Sequence, residues 1–157
     1  MTFQSYFGAV ATVLAASVVV AGPAAAQNAS VSVKSSTFVE KVTTDAKGNR
    51  KVTLSPPDIV VPGDTVLFTH DYVNNGAQPA TGFLINNPLS KQILYVGSPD
   101  ANIVVSVDGG KTFGKLATLK VGDRAATNAD VTNLRWTFAR PIAPGESGKV
   151  SFRGVLK

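Results

Sequence analysis

The chain has one histidine, His70, and no cysteine. A zinc-type site draws several ligands from imidazole and thiolate, so His70 has no nitrogen or sulfur partner for one. Val66, Phe68, His70 and Tyr72 fall on one side of an alternating stretch. The reading of His70 is therefore a partly buried imidazole bonded to a neighbour, with a pH-dependent switch as the alternative. Oxygen ligands for calcium occur at Asp100, Asn102, Asp123, Asn128 and Asp130, but their spacing fits no EF-hand loop. They are expected to be solvated turn residues. Asp71 and Glu40 fall in strand-like stretches with nothing to bring them together, and no glycine-rich phosphate loop or nucleophile elbow occurs. The residues point away from catalysis: no enzyme, no cofactor and no metal are expected.

Two further patterns could carry chemistry. Ser106-Val107-Asp108-Gly109-Gly110-Lys111-Thr112-Phe113 resembles the Asp-box of sialidase propellers. That pattern describes a hairpin in which the aspartate side chain caps turn amides and the aromatic packs inward. Sialidases carry several copies together with an arginine cluster and a tyrosine nucleophile. One copy here implies that Asp108 and Gly110 stabilise a turn. Trp136 and Tyr95 could stack on sugars; Trp136 shares its face with Leu134 and Phe138 and is expected in the core.

All the charge lies beyond residue 26. Residues 1–26 carry no charged side chain, Phe7 to Ala21 is nearly continuously apolar, and Gly22-Pro23 precedes Ala24-Ala25-Ala26. That order reads as a secretory signal peptide cleaved between Ala26 and Gln27; an uncleaved, tethered form is the alternative. The run is shorter than the ~20 residues of a spanning helix. No membrane span is expected after cleavage, so the product belongs in the periplasm, at the cell surface or outside the cell. The formal net charge is +5. It serves solubility, or affinity for an anionic polysaccharide or lipopolysaccharide. The Lys and Arg residues are scattered without aromatic interleaving, so no specific nucleic acid is expected.

Beyond Gln27 the apolar residues alternate in steps of two between Gly, Pro, Asn and Asp clusters, which is an all-β signature. A first short strand holds Ala29, Val31 and Val33; a second begins with Phe38, Glu40 and Val42, turns at Asp45 to Asn49 and returns through Lys51 to Leu54. Further strands are expected at Thr65 to Val73, Thr81 to Ile85, Gln92 to Val96, Ile103 to Val107, Leu134 to Phe138 and Lys149 to Leu156. Turns fall between them, one at Asn86-Asn87-Pro88, and Gly114 to Asp130 reads as a long loop. The expected fold is an all-β, antiparallel β-sandwich of about seven to nine strands. Its parts are a signal peptide (1–26), an N-terminal strand arm and hairpin (27–55) and the core of the same single domain (56–157).

Three ordered stretches resemble the conserved-repeat domain of bacterial surface proteins, domain of unknown function eleven. The first runs from Pro62-Gly63-Asp64 through its strand to Asn74-Asn75-Gly76 and Pro79-Ala80-Thr81. The second is Trp136 on a late strand, and the third is Ile142-Ala143-Pro144-Gly145-Glu146-Ser147 entering the last strand. The resemblance implies an immunoglobulin-like sandwich used structurally at cell surfaces, often in tandem. The chain departs from the pattern in having one copy and an N-terminal extension, which favours a small assembling subunit over a stalk spacer.

Two roles follow as expectations. One is a structural, surface or extracellular-matrix protein that polymerises with itself when the arm at Ala29, Val31 and Val33 fills a neighbour's sheet edge. The other is a binding module whose loops or free edge take an anionic glycan or another surface protein. Ladder bonds and aliphatic burial set against the cost of ordering such an arm sum to near zero or to an unfavourable value, so exchange requires a longer arm or a preformed groove. Packing the arm on its own domain avoids the further cost of association.

Overall fold

The computed structural model describes residues 30–157. Among them are ten strands: β1 (Val31–Thr44), β2 (Arg50–Ser55), β3 (Thr65–Asn74), β4 (Leu84–Pro88), β5 (Ile93–Gly97), β6 (Ile103–Ser106), β7 (Lys120–Val121), β8 (Arg124–Ala125), β9 (Asn133–Thr137) and β10 (Ser147–Leu156). Five form one sheet in the order β2-β1-β3-β10-β5, and three form a second in the order β4-β9-β6. Every pairing is antiparallel. The last strand in chain order thus lies inside the larger sheet, between β3 and β5.

Alternation explains why the sheets face each other. On β3, Val66 and His70 are buried with Phe68 and Tyr72 packed beside them, and in β10 Val150 and Phe152 stand opposite His70 and Phe68. The rings of Phe68 and Phe152 stack at 4.6 Å. From the smaller sheet Ile85, Val105, Leu134 and Trp136 enter the same core. Burying these apolar side chains is the main favourable term holding the layers together, about 1.5–3 kcal/mol for each large one. The outer face of the larger sheet carries ions instead: Arg153 Nε meets Glu40 Oε1 at 2.7 Å, and Lys149 Nζ meets Asp71 Oδ1 at 3.1 Å.

Two turns of one design launch β3 and β10. In Val61-Pro62-Gly63-Asp64, the Val61 amide donates to the Asp64 carboxylate at 2.9 Å, and the Asp64 amide donates back to the Val61 carbonyl at 3.0 Å. In Ala143-Pro144-Gly145-Glu146, the Ala143 amide donates to the Glu146 carboxylate and the Glu146 amide to the Ala143 carbonyl, both at 2.9 Å. Gly63 and Gly145 have φ of 97° and 74°, the left-handed region that other residues enter at a cost. Between the turns, the fully buried Asn74 ties loops together. Its side-chain amide donates to the carbonyls of Gln78 and Ile142, while its oxygen accepts from the Gly76 amide. Beside it, the Asn75 side chain donates to Ser32 Oγ at 2.8 Å.

Three expectations need correction. The two early strands are one, because β1 pairs without interruption with β3 from Val31↔Asn74 to Glu40↔Thr65. The strand expected at Thr81 to Ile85 lies later, at Leu84–Pro88, and includes the Asn-Asn-Pro stretch read as a turn. Pro88 is tolerated there because β4 is an edge strand, where a missing N–H interrupts no ladder. The segment from Gly114 to Asp130 is not plain loop. It holds two 3₁₀ turns, at Leu116–Thr118 and Asn128–Asp130, and the small β7–β8 ribbon between them.

Candidate functional site at the open sheet edge

The two sheets do not close along the side where β1 faces β4. β2 pairs with β1 only from Val39 onward, so the stretch from Val31 to Phe38 is held on one side by β3 and is free on the other. β4 is likewise an edge strand, paired only with β9. Phe138 N donates to Phe83 O, and Leu89 N donates to Thr132 O. The odd-numbered residues of β4 therefore point their backbone groups at β9, leaving those of Leu84 and Asn86 toward the open edge.

Between these two edges runs a groove. One cavity of about 280 Å³ is lined by Val33, Ser35, His70, Leu84 and Asn86, among others. A second, of about 490 Å³, shares Phe83 and Leu84 with it and reaches Val31 and Pro79. Val33 and Leu84 remain 42% and 43% exposed although both are aliphatic. At the floor, Ser35 Oγ lies 2.8 Å from Nδ1 of His70. The imidazole is buried edge-on against Trp136, at 5.4 Å between ring centres, and close to parallel with Phe152 at 6.4 Å. Burial holds its pKa below the ordinary 6.5, against a weaker upward pull from Asp71. The groove offers main-chain hydrogen bonds and walls of mixed aliphatic and polar side chains, on which an added strand can lie.

Val31 and Val33 are brought to this groove with His70, a grouping that no sequence spacing announced. Ala26, Gln27 and Ala29 lie outside the described residues. Pro62, Gly63 and Asp64, with Pro144 and Gly145, form the paired turns, and Asn75 and Gly76 close the loop after β3. Trp136 is fully buried in the core, as its alternation suggested, and Tyr95 is buried as well.

The Asp-box stretch forms a tight turn. Asp108 Oδ1 accepts from Ser106 Oγ at 2.7 Å and from the amides of Lys111 and Thr112 at 3.0 Å, while Oδ2 accepts from Thr112 Oγ1 at 2.6 Å. Those bonds, led by the Thr112 and Ser106 hydroxyls, hold the Asp108 carboxyl well below the usual carboxylate range. Gly110, at φ 89°, packs against Asn133, and its amide donates to the buried Ser106. Phe113 does not turn inward fully: the guanidinium of Arg135 sits 3.6 Å from its ring centre.

The five oxygen ligands are not gathered. Among the described residues no cluster of three or more His, Cys, Asp or Glu could hold a metal ion. Asp130 is bound by Arg124 and by Thr127, whose amide and hydroxyl both donate to it at 2.8 Å. Asp100, expected as a solvated turn residue, instead carries a structural role. Its Oδ2 accepts from Trp136 Nε1 at 3.1 Å and from the Ser151 amide at 2.7 Å, joining the two sheets. Ser98-Pro99-Asp100 announces a turn, but nothing in the sequence links it to Trp136.

Comparison with known proteins finds no matching family model, curated relative or solved structure.

Proposed function

We propose that the chain is an exported structural β-domain of the cell surface or extracellular matrix, a subunit that joins copies of itself by strand exchange rather than an enzyme. The observation that carries this reading is the one-sided attachment of β1 from Val31 to Phe38 beside an open groove. A segment bound along one edge leaves its place on β3 without first breaking a second ladder. The same place on a neighbour then accepts it, since identical residues make identical contacts. The layering supports the immunoglobulin-like grouping. With β2 set aside, four strands face three as in constant-type domains, although β10, last in the chain, stands beside β3 where those domains place their fifth strand.

The test compares two chains, Gln27–Lys157 and Thr37–Lys157, by sedimentation velocity across a concentration series and by negative-stain imaging. Assembly should grow with concentration in the longer chain and be lost in the shorter. Fibres from neither, or equally from both, overturn the proposal. Because the shorter chain bares the edge of β3, its fold is checked by Trp136 fluorescence, and added peptide covering residues 27–38 should bind it.

A further inference from the structure

The hairpin from Lys41 to Leu54 has no core beneath it. The β1–β3 ladder ends at Glu40↔Thr65, whereas β1 and β2 continue pairing to Thr44↔Arg50. Every residue from Lys41 to Leu54 is exposed, on both faces of the ribbon. A bare two-stranded hairpin is marginal in water, yet this one has a fixed turn. The Asp45 carboxylate accepts from the amides of Lys47 and Asn49 at 2.8 and 2.9 Å, with Gly48 at φ 82°.

Its two faces differ. Val42 and Val52 stand directly opposite each other with Leu54 on the same side, and they are 48%, 55% and 51% exposed. Lys41 and Lys51 belong to the other side. Lys41, Lys47, Arg50 and Lys51 against Asp45 give four positive charges less one, a net +3 of the chain's +5.

We infer that this ribbon is a docking element for an anionic lipid surface, with Val42, Val52 and Leu54 entering the headgroup boundary and the four cations drawn to phosphate. The ribbon is thin, so cations on its far side remain within about one Debye length of the headgroups at physiological salt, and long Lys stems reach around its edge. An acidic polysaccharide or nucleic acid would explain the charge but not the aliphatic face. Those ligands reward aromatic stacking, and no aromatic residue lies between Lys41 and Leu54. The inference is independent of strand exchange, which uses the opposite end of β1.

The experiment is co-sedimentation of the Gln27–Lys157 chain, which holds every described residue and the whole core, with two kinds of vesicle. One is pure phosphatidylcholine and the other is phosphatidylcholine mixed with phosphatidylglycerol. Binding should require phosphatidylglycerol and fall as salt is raised. Lys41→Glu with Lys51→Glu should weaken it by at least ~10-fold. Val42→Asn with Val52→Asn should weaken it by roughly 5-fold or more. Lys115→Glu with Lys120→Glu makes the same charge change at exposed sites elsewhere and should leave most binding intact. Equal binding to neutral vesicles overturns the inference, as does an equal loss in the Lys115/Lys120 variant. So does indifference to the valine substitutions, or tighter capture by soluble polygalacturonate than by the anionic vesicles. Unchanged melting temperatures keep the variants comparable.

Discussion

Ser35 and His70, thirty-five residues apart in sequence, share a 2.8 Å hydrogen bond at the floor of the open groove. The other ring nitrogen, Nε2, is buried without a protein partner. A proton added to this ring must be carried among Trp136 and Phe152 with little solvation, and Asp71 compensates only partly.

The folded pKa of His70 is thereby depressed below its unfolded value near 6.5. Stability from the neutral ring is complete above that value and is lost as pH falls from about 6.5 through the folded pKa. Urea midpoints at pH 7.5, 6.5 and 5.5 should decline in that order. His70→Phe should flatten the decline over this range, and an unchanged slope in that variant would remove His70 as its cause.

Asp100 should matter more than an ordinary turn carboxylate. Asp100→Ala leaves Trp136 Nε1 and the Ser151 amide without their acceptor, at about 1–3 kcal/mol for each donor that stays buried and unpaired. Chemical denaturation measures the loss. Trp136 is the only tryptophan, so its emission should shift in the same variant.

Gly154 and Gly148 make a matched pair on β10. A Cβ on Gly154 would lie 2.2 Å from Ile93 Cγ2 and 3.2 Å from the Leu94 carbonyl, so Gly154→Ala must push β5 away. The expected cost is about 1–3 kcal/mol. The atoms nearest a Cβ on Gly148 all belong to the phenol of Tyr72, the far end of a side chain rather than backbone. Gly148→Ala should cost distinctly less in the same thermal melts.

The turn at Asp108 should resist acid. Its carboxyl is held ionised by hydroxyl and amide donors, so its contribution is present above its unfolded pKa and fades only as pH falls through a folded value far below it. Asp108→Asn should lower the melting temperature at neutral pH and narrow that difference in strong acid, read by calorimetry.

Much of the fold was legible because alternation and turn chemistry are local. β3, β5, β6, β9 and β10 lie within a few residues of where their apolar rhythm put them. β1 was divided because Ser35 and Thr37 break the rhythm on its inward side. They are tolerated there because that side opens on the groove, and Ser35 bonds His70. β4 was displaced because Asn86-Asn87-Pro88 has turn composition, while in the sheet Asn86 accepts from Arg135 at 2.6 Å across to β9. The groove itself was not legible. It depends on where β2 stops pairing and on β4 lacking a second neighbour, which are properties of sheet order rather than of any one segment.

The central position of β10 has a consequence for the order in which the fold can be completed. β3 and β5 belong to one sheet only through the ten residues from Ser147 to Leu156. Until those residues emerge, the larger layer lacks its keystone and Phe68 has no ring to stack on. The larger layer therefore cannot close until its last strand in chain order is in place.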